Sequence, residues 1–482
     1  MAGRGAMLVL LVTGTAALLA ACTVGPDYVR PPAVVPPAYK EMDGWKTAEP
    51  RDGVLRGDWW EMFGDATLDD LERQVDVSSQ TVAAAEAGLR QARALVQEAR
   101  AHYFPTVTVG LGFTRARESA TTSNGGNGAG RTFSTLQFPI ELAWELDLWG
   151  RIRRTVESNR AGAEASAADL ETARLSVRGE VAQDYVQLRA LDAEKALLDA
   201  TAAAYMKTLE LTRNRYAAGV ASKGDVLQAE TQLKTTEAQA IDLGVQRAQF
   251  EHAIATLVGR PASEVSLPVS PLTATPPEVP VGFPSELLER RPDVAGAERR
   301  VAAANAQIGV AQAAYFPTVT LGISGGFESS HIEDWFTWPS RFWSVGPGIS
   351  ETVFDGGFRG ARKNEVRALY DQSVATYRQT VLTAFQEVED NLAALRILES
   401  EARAQDDAVS AARQALAITT NQYQAGTASY LEVVVSQAIL LANEKTAVDI
   451  LSRRMTASVL LIKALGGGWS STELGRAAAS SQ

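Results

Sequence analysis

The feature that most restricts the fold of this chain is a long segment without glycine or proline, between Gly360 and Gly426. Apolar side chains recur along it, mostly four and three residues apart, which is the seam pattern of a coiled coil. The seam consists of Tyr370, Val374, Tyr377, Val381, Phe385, Val388, Leu392, Leu395, Leu398 and Ala402. A helix of this length reaches about 100 Å, several times the width of an ordinary domain. The sequence therefore predicts that a rod, and not a globular core, carries the function.

A second long helix is predicted from Arg151 to Tyr216, and the chain repeats itself around these two helices. Residues 103–110 return almost unchanged as residues 315–322, and residues 216–222 return as residues 423–429. Repetition on this scale indicates a duplicated unit. Each copy is predicted to contain a helix, two strands, a long helix, a turn and a returning helix.

In each copy the hydrophobic period changes from helical to alternating over two segments. The predicted strands cover residues 104–118, 132–148, 316–330 and 342–356. The second of them is apolar on one side from Leu136 to Leu148. Its other side carries carboxylates, including Glu145 and Asp147, which we interpret as solvated charges of a lumen. This pattern favours a transmembrane strand around water, and the alternative is a soluble β-sandwich.

Four strands per chain cannot close a barrel, and an open sheet edge is not tolerated in lipid. The barrel must therefore be shared between chains. Two chains would supply eight strands, whose interior fills with side chains, whereas three would supply twelve, enough for a water-filled bore. In the second copy, Trp335, Phe336 and Trp338 in the loop between the strands are candidates for an interfacial aromatic girdle.

The helices that follow the strands are predicted to form two antiparallel hairpins, over about residues 150–259 and 360–465. Ser222 and Ser429 are predicted N-caps of the returning helices, and Asp225 and Glu432 complete capping boxes. Residues 65–260 and 285–466 are thus the two repeats. The proline-rich residues 261–284 are predicted to be an irregular linker between them.

The start of the chain reads as a secretory signal over residues 1–21, with Arg4 followed by an apolar run that ends directly before Cys22. Cys22 is the only cysteine, which excludes a disulfide framework. Residues 22–64 are predicted to be an extended arm, closed by the aromatic residues Trp59, Trp60 and Phe63. Residues 467–482 are predicted to be a flexible tail.

Composition and motifs exclude several classes of function. The net charge of −11 argues against nucleic acid as a partner, because phosphates would be repelled. His102, His252 and His331 fit no metal-ligand spacing. We therefore expect no catalytic residues, no metal and no cofactor, and an enzyme is the least favoured class.

Several motifs together point to a known family. They are residues 284–293, 297–300, 302–309 and 314–318, with the strand-to-helix junctions at residues 147–151 and 354–357. This set resembles the TolC-like outer membrane factors, and is closest to the NodT-type lipoprotein branch of resistance-nodulation-division (RND) efflux systems. The resemblance extends from Cys22 to about Leu465. Leu19-Ala20-Ala21-Cys22 also resembles the bacterial lipoprotein cleavage box, which implies lipidation, including palmitate, at Cys22.

The resemblance implies an α+β membrane protein that works as a homotrimer. Each chain would contribute four strands to a twelve-stranded transmembrane β-barrel in the outer membrane. The long antiparallel coiled-coil hairpins would form a tunnel, or α-barrel, across the periplasm. A periplasmic adaptor (a membrane fusion protein) and an inner-membrane RND transporter would feed small molecules such as drugs into this passive duct.

The resemblance also implies two functional surfaces at the periplasmic tips of the hairpins. The expected adaptor contacts are Tyr216, Gly219, Ser222, Asp225, Tyr423, Gly426 and Ser429. The expected aperture constriction consists of Tyr430, Leu431, Glu432 and Val435. Val435 stands where many family members have a carboxylate, so Glu432 either replaces that charge one turn nearer the tip or acts only as a cap.

Two other functions remain open from the sequence. In the same fold, the chain could be the outer-membrane duct of a type I protein secretion system, although the lipoprotein box disfavours this. In a different class, it could be a periplasmic coiled-coil scaffold that is anchored by lipid alone. Lipid-facing strands would separate the duct from the scaffold.

Overall fold

The computed structural model describes residues 23–41, 58–119, 121, 130–277, 279 and 287–469. The chain divides into two compact units. Of the described residues, the first unit contains 23–31, 90–119, 121, 130–165 and 298–376, and the second contains the remainder. The predicted signal segment and Cys22 lie outside the described residues, as do most of the predicted tail and parts of the arm and linker.

The helices follow the predicted order. They are α1 (Ala66–Ser78), α2 (Gln80–Ala101), α3 (Arg151–Ala217), α4 (Lys223–Leu257), α5 (Leu287–Arg290), α6 (Pro292–Ala313), α7 (Phe358–Ala425) and α8 (Tyr430–Ala464). The two longest, α3 and α7, contain 67 and 68 residues. Neither Gly162 nor Gly179 interrupts α3, because a single glycine costs a helix only about 1 kcal/mol relative to alanine. Among the described residues, no helix is both long and apolar enough to cross a bilayer.

The predicted seam of α7 is its inward-facing stripe. Of its ten side chains, seven are buried and the other three are half-buried. The buried members are Tyr377, Val381, Phe385, Val388, Leu392, Leu395 and Leu398. The heptad pattern therefore predicted the packed face of this helix correctly.

The strands form one antiparallel sheet in the first unit. They are β1 (Thr106–Val109), β2 (Gly112–Arg117), β3 (Thr132–Leu146), β4 (Thr318–Ser329) and β5 (Arg341–Ser350). β1 and β2 both pair with β3, β3 pairs with β4, and β4 pairs with β5. Thus β1 and β2 lie along one edge of the sheet and β5 lies along the other.

The first predicted strand is divided into β1 and β2 without any change of register. Val109 lies opposite Ile140, and Gly112 lies opposite Gln137, as in one continuous strand. Between them, the Gly110 N–H donates to the Pro139 carbonyl oxygen at 2.9 Å. Pro139 has no N–H with which to return the bond, so the ladder is interrupted there.

The sheet has two chemically different faces, as the alternation predicted. The register places one set of side chains on what we call the apolar face: Val107, Val109, Phe113, Leu136, Phe138, Ile140, Leu142, Trp144, Val319, Leu321, Ile323, Phe327, Trp343, Val345 and Ile349. The opposite polar face carries Thr106, Thr108, Thr114, Gln137, Glu141, Glu145, Thr320, Ser324, Glu328 and Ser344. The register therefore separates apolar from polar side chains on the two faces of the sheet.

Glu145 and Asp147 lie at the junction of β3 and α3. Both have protein partners there, so they are not the free solvated charges that the sequence predicted. Glu145 makes a two-pronged ion pair with Arg151, at 2.8 and 2.7 Å. Asp147 accepts hydrogen bonds from the backbone N–H groups of Ile152 and Arg153, each at 2.9 Å. Both side chains therefore hold the start of the long helix, where unpaired N–H groups attract negative charge.

The described part of the linker is irregular, as expected, and buried charges fix it to the first hairpin. Arg189 of α3 donates to the Pro268 carbonyl oxygen at 2.5 Å, and Arg247 of α4 donates to the Leu267 carbonyl oxygen at 2.8 Å. Asp192, which is buried, accepts from Arg247 at 2.7 Å and from the Ser270 N–H at 3.0 Å. These bonds satisfy backbone groups that lack a ladder of their own.

The aromatic residues at the end of the arm behave as predicted. Trp59, Trp60 and Phe63 lie in a short 3-10 turn directly before α1, and all three are buried. Their burial ties the start of the first repeat to the helices of the second unit.

Candidate functional site

The two helical hairpins end in turns of the same construction. Gly219, after α3, has a φ of +76°, and Gly426, after α7, has a φ of +80°. Glycine adopts this left-handed conformation without the penalty of a Cβ atom. The Gly219 N–H donates to the Tyr216 carbonyl at 2.9 Å, and the Gly426 N–H donates to the Tyr423 carbonyl at 3.1 Å. The duplicated sequence thus produces a duplicated turn.

The predicted capping residues begin both returning helices. The Ser222 hydroxyl accepts from the Asp225 N–H at 3.1 Å, and the Asp225 carboxylate accepts from the Ser222 N–H at 3.0 Å. At α8, the Glu432 carboxylate accepts from the Ser429 N–H and from the Ser429 hydroxyl, each at 2.9 Å. These two groups of Ser429, the N–H first, hold the pKa of Glu432 below its usual value. Both caps are confirmed.

Behind the turns, a tip cluster joins all four long helices. It contains Tyr205, Leu209, Ala229, Leu233, Tyr423, Tyr430 and Val433. The rings of Tyr423 and Tyr430 lie 5.7 Å apart. Burial raises the pKa of Tyr430 to about 12, so its hydroxyl stays neutral at physiological pH. Because α3 and α4 belong to the first hairpin and α7 and α8 to the second, the tip cluster packs one hairpin on the other.

Arg215 makes the polar part of the same contact. Its guanidinium lies over the Tyr423 ring, 4.7 Å from the ring centre. It also donates to the carbonyl oxygens of Tyr423 at 2.9 Å and Gln424 at 3.3 Å. These are carbonyls at the end of α7, where a cation is favoured by the helix dipole. The Tyr423 hydroxyl lies 3.2 Å from the Thr212 hydroxyl. Helix α3 therefore holds the tip of the second hairpin through both side-chain and backbone atoms.

The residues expected to contact the adaptor do not share one environment. Tyr216 is 46% exposed, and Ser222, Gly219, Gly426 and Ser429 are also at the surface. Asp225 is half-buried. In contrast, Tyr423 is only 4% exposed, so its side chain serves packing and is not available to a partner in this conformation.

The residues expected at the constriction divide in the same way. Tyr430 is 4% exposed and belongs to the tip cluster, and its expected place in the aperture stays a prediction. Leu431 and Val435 are 58% and 49% exposed, and Ile439 continues their line at the next helical turn. Residues four apart lie on one face of a helix, so these three form an exposed apolar stripe on α8. Glu432 is exposed beside the stripe but is engaged with Ser429.

The residues at the two tips provide buried packing contacts and an exposed surface. Among the residues that the structure describes, no three His, Cys, Asp or Glu side chains are grouped as metal ligands.

Comparison with known proteins identifies the family. The model of the outer membrane efflux protein family matches residues 72–260 and 283–467, which correspond to the two repeats. The chain belongs to the outer membrane efflux protein family. Its sequence is 32% identical to the pyoverdine export outer membrane protein OpmQ of Pseudomonas aeruginosa, over 87% of this chain and 89% of that protein. It is 31% identical to the toluene efflux pump outer membrane protein TtgC of Pseudomonas putida, over 94% of each chain.

Solved structures of outer membrane efflux proteins share the fold. The outer-membrane channel OprN matches with a TM-score of 0.86 and 31% identity, over 93% of this chain and all of that one. The outer membrane protein VceC from Vibrio cholerae matches with a TM-score of 0.79 and 28% identity, over 85% of this chain and 98% of that one. This protein is therefore an outer-membrane channel of an efflux system in a Gram-negative bacterium, and it reaches into the periplasm.

The residues of α3 that hold the tip of the second hairpin in this efflux protein were not predicted from the sequence. Tyr205, Thr212 and Arg215 were not singled out, because they lie in α3 rather than in the recognisable turn motif. The one available signal was the position before the repeated tyrosine, which is Arg215 in the first copy and Gln422 in the second.

Proposed function

We propose that three copies of this chain close a twelve-stranded transmembrane β-barrel, and that this barrel is the outer part of a passive efflux duct. The observation that carries the proposal is the four-stranded width of the sheet, with one apolar face and two unpaired edges among the described strands. Lipid would cover the apolar face, and neighbouring copies would cover the edges. Twelve strands leave an aqueous bore, whereas eight do not.

The duplication predicts how the edges meet. Val107 lies opposite Leu142 in the first repeat, and its counterpart Val319 lies opposite Ile349 in the second. Leu142 and Ile349 are therefore equivalent positions. Within the chain, Leu142 of the first repeat lies opposite Ile323 of the second. The internal contact between repeats supplies a template for the contact between copies, because each is formed by equivalent strands.

The template gives a definite register. The counterpart of Ile323 in the first repeat is Leu111, so Ile349 is expected opposite Leu111 of the neighbouring copy. Five residues further along, Ser344 is expected opposite Ala116 of that copy. Such a head-to-tail contact uses two different surfaces and closes into a ring.

A cysteine pair tests this register. Ser344→Cys with Ala116→Cys places two small side chains on the polar face at a pair without mutual hydrogen bonds, where Cα atoms lie about 4.5 Å apart. That separation is within the range that a disulfide spans. Oxidation of membranes is expected to convert the protein into covalent trimers on denaturing gels without reductant.

Two controls make the cross-link specific. Each single cysteine variant should stay monomeric on the same gel. Ser344→Cys with Gly112→Cys, which shifts one partner by four residues or about 13 Å, should also stay monomeric. Efficient cross-linking of the shifted pair, or none by the matched pair in protein that still reaches the outer membrane, would overturn the proposed barrel.

We further propose that a periplasmic adaptor and an inner-membrane RND transporter deliver small molecules, such as drugs, into the helical tunnel. The relatives are named for pyoverdine export and toluene efflux, which supports small solutes as substrates. The exposed tip residues Tyr216, Gly219, Ser222, Gly426 and Ser429 are the proposed adaptor surface. Cys22 is the proposed lipid attachment point, because residues 19–22 resemble the lipoprotein cleavage box.

The proposed aperture is formed by the stripe of Leu431 and Val435, with Glu432 beside it. The double variant Glu432→Ala, Val435→Ala shortens two of these three side chains. It should widen the aperture and raise single-channel conductance in planar bilayers. Glu432→Ala alone separates the two roles of that residue, since a pure cap would leave conductance near the unmodified value. Unchanged conductance in the double variant would remove this assignment.

A further inference from the structure

Two arginines at the C-terminal end of β2 lie on the apolar face of the sheet. Arg115 is opposite Ser134, and Arg117 is opposite Thr132. They share the face of Phe113, which is opposite Leu136 at the edge of the apolar residues. Both are exposed, and neither has an ion pair within the described part of the chain. An arginine on the face of a sheet that lipid covers needs a partner of its own.

A third arginine lies at the same end of the other edge strand. Arg341 begins β5 opposite Phe327, again on the apolar face. Its guanidinium lies over the ring of Trp338, and its Nε donates to the Trp338 carbonyl oxygen at 3.1 Å. Trp338 itself is exposed. The nearest carboxylate of β4, Glu328, points to the polar face, so every charged side chain that the described strands carry on the apolar face at this end is an arginine.

The loop between β4 and β5 marks the level of these arginines. Phe336 packs against Phe138 at 5.7 Å and against Phe327 at 5.4 Å, and Trp335 stacks on Phe336 at 4.9 Å. The aromatic loop therefore folds onto the apolar face beside the arginines. Aromatic side chains of this kind concentrate where hydrocarbon meets the headgroups.

The length of the apolar part of β3 places the arginines at the same depth in the membrane. From Leu136 to Leu146, the apolar side of β3 covers ten residue steps, or about 33 Å along the strand. At a strand tilt of about 40°, this corresponds to about 25 Å across the membrane, the height of the apolar band of such barrels. Arg115 and Arg117 lie just beyond this band, at the depth of the headgroups.

The proposed contact between copies would gather the three arginines. In the register derived above, Trp343 lies opposite Arg117 of the neighbouring copy, and Val345 lies opposite Arg115 of that copy. Arg341, two residues before Trp343, is then a diagonal neighbour of Arg117 of that copy. Side chains in such positions reach one another, since directly opposite and diagonal Cα atoms lie about 5 and 7–8 Å apart.

We propose that Arg115, Arg117 and Arg341 form a binding site for the phosphate groups of a lipid in the outer leaflet, at each of three boundaries between copies. Guanidinium groups bind phosphate through paired hydrogen bonds, and the acyl chains would lie on the adjoining apolar face. A lipid is favoured over a soluble phosphate because apolar residues, interfacial tryptophans and cations follow one another on one face. The inference rests on the proposed barrel.

The test uses the full-length trimer in phosphatidylcholine vesicles that contain either diphosphoryl lipid A or the same lipid with its phosphates removed. Lipid that stays bound after gentle detergent extraction is counted by native mass spectrometry. The unmodified trimer is expected to retain the phosphorylated lipid in preference. Retention should fall about tenfold in the Arg115→Gln, Arg117→Gln, Arg341→Gln variant, because three charge-assisted contacts are lost.

Two further variants make the result decisive. Arg131→Gln, at the same end of the sheet but in register with Glu118 on the polar side, should retain lipid as the unmodified protein does. The triple lysine variant at the three positions should recover part of the retention, which excludes a general folding defect. Equal retention of both lipids by the unmodified trimer, or equal retention by the glutamine variant, would overturn the phosphate site.

The same preparations separate this inference from the proposed barrel. If Ser344→Cys and Ala116→Cys cross-link but lipid retention is unaffected by the glutamine variant, the barrel stands and the lipid site is wrong. If the cysteines fail to cross-link, the barrel itself is wrong.

Discussion

The two hairpin tips have nearly the same sequence and the same backbone, but their tyrosines have opposite environments. Tyr216 is 46% exposed, whereas its counterpart Tyr423 is 4% exposed. Both precede a left-handed glycine and a serine cap. The difference therefore does not arise within the turn.

The difference arises from the neighbouring hairpin. The residue before the tyrosine is Arg215 in the first tip and Gln422 in the second. Only the arginine can reach across to the carbonyls of Tyr423 and Gln424 and cover the Tyr423 ring. No reciprocal bond from Gln422 to the first tip is present among the described residues. The first hairpin therefore holds the second through contacts of Arg215 that Gln422 does not return among the described residues.

The largest expected effect comes from removing the buried ring. Tyr423→Ala leaves a cavity in the tip cluster and should lower the free energy of unfolding by about 3–5 kcal/mol. The matched variant Tyr216→Ala removes an exposed ring and should change it by less than about 0.5 kcal/mol. Thermal unfolding of the purified protein, followed by circular dichroism, compares the two. Similar midpoints for both variants would contradict the contrast in burial.

A smaller effect is expected from the polar contact. Arg215→Gln removes the bonds to two carbonyls and the cation–π contact, together worth about 1–3 kcal/mol. The second hairpin should then leave its position against α3 more often, and single-channel recordings should show longer openings. Gln422→Ala, at the equivalent exposed position, is the control and should behave as the unmodified protein. Longer openings in both variants would show that the asymmetry of the tips has no role.

Much of the fold could be predicted from the sequence because it is encoded locally. The absence of glycine and proline from residues 361–425 of α7, the alternation in β3 and the caps at Ser222 and Ser429 each depend on neighbouring residues alone. The split between β1 and β2 required knowledge that Pro139 lies opposite Gly110, a contact between separate strands. Glu145 and Asp147 were misread because alternation shows which way a side chain points and not which partner it meets.

The tip was predicted only as far as the repeat was symmetrical. The motif located both turns, and the capping residues were correct in each. The burial of Tyr423 and Tyr430 could not be inferred, because it depends on Tyr205 and Leu209 from a helix of the other repeat. A duplicated motif specifies a local structure twice, but its two surroundings are set by whatever packs against each.

The smallest expected effect concerns the cap of the second tip. The folded protein holds the pKa of Glu432 below its ordinary value of 4.5, first through the Ser429 N–H and then through the Ser429 hydroxyl. A carboxyl with a lowered pKa stabilises the folded state above its unfolded pKa, and this stabilisation is lost as pH falls through the folded pKa. The first turn of α8 should therefore exchange its amide hydrogens faster, relative to the chemical rate, once the pH falls below 4.5.

Glu432→Gln separates this effect from general acid unfolding. Glutamine accepts the same hydrogen bond without titrating, so the first turn of α8 should keep its protection through the acid range. Asp225→Asn makes the equivalent change at α4 and should leave the pH dependence of α8 as it is. If α8 loses protection equally in both variants as pH falls, Glu432 is not the cause of the loss, and the pH dependence belongs to general acid unfolding.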